Sequence, residues 1–223
     1  MPPYLIKMAP RQIIKDIYRL YQRAGVLTQA YIKIKLKISP ILKLEAYLPR
    51  EGKILDLGCG IGLFSNIISL TSAARFVEGI DIDSGKIRCA NATVSNRGNI
   101  LFSIKQIQDI SGSDYDAIVI SDTLYLIPYA QQERILKNCF GKLKNEGLLL
   151  IKEIDRQPLW KFMINLFQEL LAVRVFRFTR GDKFFFRSSA EYRELLSAIG
   201  FKIEVVPLDR GFAYPHVAYI CSK

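Results

Sequence analysis

Ile54-Leu-Asp-Leu-Gly-Cys-Gly-Ile-Gly-Leu-Phe-Ser65 decides the fold. Ile54, Leu55 and Leu57 read as the end of a buried strand, Gly58, Gly60 and Gly62 as a turn, and Leu63 onward as a helix. Such a unit lets backbone approach a ligand where a Cβ would collide. It also aims helix N-terminal N–H groups at that ligand, which favours anionic groups such as a carboxylate. The spacing separates two kinds of ligand. Dinucleotide sites carry G-x-G-x-x-G, with the third glycine inside the helix. Here the order is D-x-G-x-G-x-G, with Asp56 two residues ahead of the first glycine. A carboxylate at that point suits a positively charged ligand, an ammonium or a sulfonium.

Outward from this loop, Arg75-Phe-Val-Glu-Gly-Ile-Asp-Ile-Asp83 is a short apolar strand ending at Asp81, 19 residues beyond Gly62. That is near the spacing at which an acid meets a ribose in the related dinucleotide fold. Asp83 reads as the N-cap of a helix over 84–96. From residue 53 strand and helix alternate, with strands expected at 53–57, 76–81, 100–104, 116–121 and 147–153. Helices are expected at 62–72, 84–96 and 129–144, and Lys144-Asn-Glu-Gly147 as a turn. A helix over 189–199 ends at Gly200, and strands follow at about 201–207 and 214–221. The last connection is too short for a crossover helix, so this pair is antiparallel. The expectation is an α/β chain with a doubly wound, mostly parallel sheet of seven strands, the last one antiparallel.

With its acid-plus-glycine loop and this order of elements over 50–223, the chain resembles the class I S-adenosylmethionine-dependent methyltransferases. The resemblance implies their Rossmann-like fold and S-adenosyl-L-methionine as cofactor, held around Asp56, Gly58, Gly60 and Gly62. It implies Asp81 as acceptor for the ribose hydroxyls and Ile82 as cover for the adenine face. After the third strand the family often has an acid followed by an apolar residue. Here Lys105-Gln-Ile-Gln-Asp109 departs from that pattern and offers Gln106 and Ile107. Ser121-Asp-Thr-Leu-Tyr-Leu-Ile-Pro128 resembles the segment whose carbonyl holds the cofactor's amino group and whose side chains face the acceptor. That places Ser121 and Asp122 at the cofactor, and Asp122 and Tyr125 toward the acceptor; capping and core packing are the plain alternatives. The Asn/Asp-Pro-Pro-Tyr of enzymes that methylate exocyclic nucleobase or glutamine nitrogens is absent there.

Ligands in open α/β sheets bind outside the carboxyl ends of the strands. By that rule Glu153 and Asp155, at the end of the fifth strand, are candidates to orient an acceptor, a surface salt bridge being the alternative. The last strand runs the other way, so His216 near its start reaches the same edge. With an ordinary pKa of about 6.5 it would take a proton from an acceptor at neutral pH. Residues 156–187, with net charge +5, the only tryptophan, Trp160, and many phenylalanines, are expected to fold over the acceptor as a lid-like insertion, or to pack on the N-terminal helices.

Residues 1–49 read as a basic, helical N-terminal cap. Of the net charge of +11, residues 1–50 carry +8, ten Lys/Arg against Asp16 and Glu45. Residues 10–24 show an apolar helical stripe, whereas 31–38 alternate strictly, which is strand-like taken alone; they lie where such enzymes have helices, and the balance favours a helix. The basic segment suits an anionic membrane surface, RNA or an acidic substrate, or simply a solvated face. At 50% hydrophobic and 24% charged, the composition excludes a disordered chain. No apolar run approaches the roughly 18 residues of a membrane span, and the start lacks a secretory signal, so a cytoplasmic location is expected. Cys59, Cys89, Cys139 and Cys221 are scattered, and His216 is the only histidine, so reduced thiols and no metal are expected. Together these readings favour a methyltransferase acting on a small-molecule or lipid-like acceptor. An RNA- or protein-modifying enzyme, a silent cofactor-binding scaffold and, last, a dehydrogenase are the alternatives.

Overall fold

A computed structural model describes residues 10–106, 112–164 and 184–223. Seven strands form one sheet: β1 (Gly52–Leu57), β2 (Arg75–Asp81), β3 (Ile100–Ile104), β4 (Tyr115–Ser121), β5 (Leu143–Ile154), β6 (Lys202–Pro207) and β7 (His216–Ser222). Their order is β3-β2-β1-β4-β5-β7-β6. The first five are parallel, and β7 pairs antiparallel with both β5 and β6. The expected sheet is therefore present. The chain reverses direction between β1 and β4, which opens a crevice at the carboxyl ends of the strands.

Helices cover both faces because successive strand residues are apolar on both sides. One face, with Ile54, Val77, Val119, Leu150 and Ala218, packs against α4 (Leu63–Thr71) and α5 (Ser84–Asn91). The same core takes in α1 (Pro10–Leu20), α2 (Val26–Ile38) and α3 (Ile41–Glu45) through Ile13, Ile17, Ile32 and Leu44. The other face, with Leu55, Ile118, Ile120, Leu149 and Tyr219, packs against α6 (Tyr129–Lys142) and α7 (Ser189–Ile199). Ser188 and Glu191 form a reciprocal capping box at the start of α7, and Gly200 ends it at φ 114°.

The alternating stretch 31–38 is helical, the reading its place ahead of the sheet favours: Ile32 is buried while Ile34 stays exposed, so two apolar stripes face different ways. Two boundaries differ from the sequence pattern. The expected turn at 144–147 is a bulge inside β5, where Tyr115 pairs with Leu143 but Ala117 pairs with Leu148. Glu146 takes the left-handed conformation there, at φ 63°. The first helix ends at Leu20, and the turn after it carries Tyr21 into the core.

An ion pair buried beneath the sheet's amino edge joins the N-terminal helices to the strands. Arg75 on β2 donates to Glu45 of α3 and to the carbonyls of Leu48 and Pro49. Arg75 and Glu45 are both almost fully buried.

Candidate active site

The glycine loop between β1 and α4 is held from below by β2. The Gly58 and Cys59 N–H groups donate to the Ile80 carbonyl at 2.9 and 3.0 Å. Gly58 and Gly62 are required for packing: at φ 74° and 80°, a Cβ would come within 2.6 Å of Thr123 and of Phe102. Gly60 differs. It also has a positive φ, 56°, but a Cβ there would meet nothing within 4 Å, so its bare face opens into free space.

Asp81 ends β2 beside that open face. One carboxylate oxygen accepts from the Gly60 N–H at 2.9 Å, and the other from the Asp83 N–H at 2.9 Å. Both oxygens keep further lone pairs for hydroxyl donors. Ile82 follows at 57% exposure, an uncovered apolar side chain next to the acid. Asp83 is the N-cap of α5, as its position implied, accepting from Gly85 and Lys86. Asp56 sits deeper. It is buried, accepts from Ser65 Oγ at 2.5 Å, and burial pushes its pKa up to about 6, with the Asp81 charge adding to the rise. Its carboxylate thus underpins the first turn of α4.

The other half of the crevice is built from β4, β5 and β7. Asp122, just past Ser121 and at φ 53°, sits between two cations, Lys152 Nζ at 2.5 Å and Lys35 Nζ at 2.7 Å. Burial opposes ionisation of Asp122, but these two lysines, with His216 beyond them, outweigh it and hold the carboxyl well below its usual range. Sequence reasoning missed Lys35 and Lys152. Lys152 precedes a flagged strand end, and Lys35 comes from α2, 87 residues from its partner.

Glu153 and His216 both reach the edge, yet neither has the environment expected of it. Glu153 is buried on the opposite face from Lys152, and its Oε1 accepts from the Thr123 and Leu124 N–H groups at 3.2 and 2.9 Å. Its Oε2 has no hydrogen-bond partner among the described residues. Burial, reinforced by the Asp122 charge, raises its pKa to about 8, so the carboxyl is protonated at neutral pH. His216 pairs with Ile154 in the ladder and lies at the carboxyl edge as expected. The expectation that it titrates near neutrality is corrected: burial first, and Lys152 second, push its pKa down to about 3. The neutral ring places Nε2 2.9 Å from the Ile38 carbonyl, which only an Nε2–H can satisfy, leaving Nδ1 as an acceptor. Nδ1 has no partner among the described residues.

Tyr125, in a short 3-10 turn over Leu124–Leu126, stacks on Phe186 with ring centroids 4.9 Å apart. Phe162, Phe184 and Tyr214 pack into the same cluster, so the two ends of the insertion meet beside β4 and β5. Trp160 is 60% exposed and does not join it. Asp155 is engaged by Ser189 and by the Arg156 N–H. Gln106 is exposed at the end of β3, while Ile107 and most of the insertion's centre lie outside the described residues. No group of three metal-ligating side chains occurs among the described residues, and the four cysteines are free.

A glycine loop with one open glycine, an acid ending the neighbouring strand and a sheet of this order define a class I methyltransferase fold. Residues 29–206 match the family described as the methyltransferase domain, and the chain belongs to that family. It is 40% identical over 111 residues to the Bacillus subtilis protein YqeM, covering 48% of this chain and 44% of that one. It is 26% identical over 159 residues to the phosphoethanolamine N-methyltransferase of Plasmodium falciparum, covering 70% of this chain and 55% of that one. It thus spans about half the length of these two relatives. The magnesium protoporphyrin IX methyltransferase of Synechocystis PCC 6803 superposes with a TM-score of 0.67 over 94% of each chain at 18% identity, which is a likeness of fold. S-adenosyl-L-methionine is the cofactor of this class, and the residues fit it. The open Gly60 face admits a backbone-close ligand, Asp81 offers carboxylate lone pairs, and Ile82 presents apolar surface beside them.

Proposed function

We propose that this chain transfers a methyl group from S-adenosylmethionine to a nucleophile on a small or lipid-like acceptor with an apolar body. The observation that carries this is the aromatic wall of Tyr125, Phe162, Phe184, Phe186 and Tyr214 beside the crevice. Such a wall binds apolar surface and excludes water. The relatives act in the same direction: one is named for phosphoethanolamine, others for ubiquinone biosynthesis and magnesium protoporphyrin, all small molecules. Exposed Val26, Leu27 and Ile34 on α2, among Lys33 and Lys37, fit contact with an anionic membrane surface carrying such an acceptor. Among the described residues no helix is long and apolar enough to cross a membrane.

Bound in the crevice, the cofactor supplies a methyl group on a sulfonium that is already a good leaving group. The chain's own part is orientation and exclusion of water. In this reading Asp81 holds the ribose hydroxyls, Ile82 covers the adenine, and the carbonyl of Ser121 faces the amino group. Glu153 is a positioning residue: it clamps Thr123, whose side chain packs against Gly58. Asp122 is spoken for by two lysines and keeps the crevice edge polar. His216 is buried with Nδ1 closed to solvent, and its low pKa makes it a weak base. In this reading it is a positioning residue that ties β7 to the Ile38 carbonyl at the crevice edge, rather than the group that deprotonates the nucleophile. The test is incubation of purified protein with methyl-labelled cofactor and host extract, followed by separation into lipid, polar metabolite, protein and RNA. Label in the lipid or metabolite fraction is expected. Label confined to RNA or protein would replace this reading, and no label in any fraction would leave a binding scaffold.

A further inference from the structure

A second cavity lies away from the crevice, between the turn joining α1 to α2 and the outer side of α5. Its volume is about 760 Å³, a size that holds a small molecule rather than a bare ion. Arg19 and Arg23 from the turn and Arg88 from α5 line it, and no carboxylate does. Arg19 has only a long contact to Asp16, at 4.0 Å, and is largely exposed. The side chains of Arg23 and Arg88 have no hydrogen bond or ion pair among the described residues. Three cationic side chains and no acidic one line this concavity, so its potential favours an anion. The nearest acid of α5, Asp83, is already taken up by the helix N-terminus. Gln22, Thr28 and Ser95 add neutral polar groups to the walls.

We infer that this cavity is a binding site for a ligand bearing phosphate, separate from the adenosyl site. Guanidinium groups are planar forks that meet phosphate oxygens in pairs, whereas charge alone would be met as well by lysine. The arginines of the N-terminal basic segment, which take no part in the methyl-transfer crevice as described, thereby gain a function. Tyr21 connects the two sites: the residue lines the cavity, and its hydroxyl donates to the Ile61 carbonyl in the glycine loop at 2.7 Å. A ligand that fixes the turn against α5 also fixes Tyr21, and with it the loop. The phosphate comes either from a soluble phosphorylated molecule or from a lipid headgroup, and one experiment separates them.

Full-length protein is titrated calorimetrically with pyrophosphate, then with citrate at equal charge, and is floated with vesicles of phosphatidylcholine with and without phosphatidylglycerol. The same is done with the double variant Arg23→Gln, Arg88→Gln. Pyrophosphate should bind the unaltered protein, and the variant should bind it at least about tenfold more weakly, as expected for losing charge-assisted bonds. S-adenosylmethionine affinity and the melting temperature serve as controls that the variant is folded. Pyrophosphate binding without flotation assigns a soluble ligand; flotation with phosphatidylglycerol that the variant loses assigns a headgroup. Equal binding by variant and unaltered protein, no binding of either probe, or citrate binding as tightly as pyrophosphate would each overturn the inference.

Discussion

Asp81 accepts one N–H from the glycine loop and one from the start of α5, so its removal loosens both at once. Asp81→Ala should weaken S-adenosylmethionine binding at least tenfold, since hydrogen bonds to a charged group are worth about 1.5–3 kcal/mol. Calorimetric titration checks this, and unchanged affinity would remove Asp81 from the ribose. Gly60→Val should abolish binding for two reasons: the side chain fills the open face, and a β-branched residue resists φ 56°. Near-native affinity in a folded variant would count against the loop as the cofactor's seat. Glu153 has a raised folded-state pKa. Its contribution is therefore fully present below the ordinary value of 4.5 and is lost as pH rises toward about 8. Relative to the unaltered protein, Glu153→Gln should gain stability over that window, by at most about 1.4 kcal/mol per pH unit. Parallel melting curves across the window would reject this if they stayed a fixed distance apart. The placing of Asp81 beside the glycine loop at the sheet edge was legible because both lie in short local patterns. Lys35 and Lys152 were not, because only the fold brings them to Asp122, from 87 and 30 residues away.

At the scale of elements, α3 is five residues long and has no side-chain cap. Too short to persist alone, it is fixed by packing and by the Glu45–Arg75 pair. Glu45→Ala leaves a buried guanidinium without its counter-charge and should destabilise the protein by about 3–5 kcal/mol. Replacing both partners with apolar residues should recover much of that loss, and denaturant titration of the single and double variants checks it. The alternation of 31–38 shows why local pattern alone misleads. Its period suits a strand, but one helical turn presents Ile32 to the core and Lys35 to Asp122, and tertiary contacts decide. The bulge in β5 was hidden for a related reason. Lys144-Asn-Glu-Gly147 has turn chemistry, and a bulge uses the same positive-φ position as a turn.

At the scale of the molecule, the doubly wound sheet was readable almost strand by strand, because each unit repeats the same change from extended to helical periodicity. The protonation of His216 was not, because burial and Lys152 act on it from outside its own strand. A folded chain that binds S-adenosylmethionine should melt higher when it is present. At a ligand concentration 100 times Kd the gain is about 2.7 kcal/mol, or about 5–10 °C for a chain of this size. The shift should be lost in Asp81→Ala.

The family match starts at residue 29, yet the Tyr21 hydroxyl bonds the Ile61 carbonyl and accepts from the Asn66 amide at 2.9 Å. Ile13 and Ile17 fill the same core as α4. A fragment trimmed to the matched segment would therefore uncover an oily groove and slacken the backbone between β1 and α4. Whoever shortens this polypeptide from its front end should expect clumping and feeble retention of the adenosyl compound, even though every glycine of that loop and Asp81 would still be present.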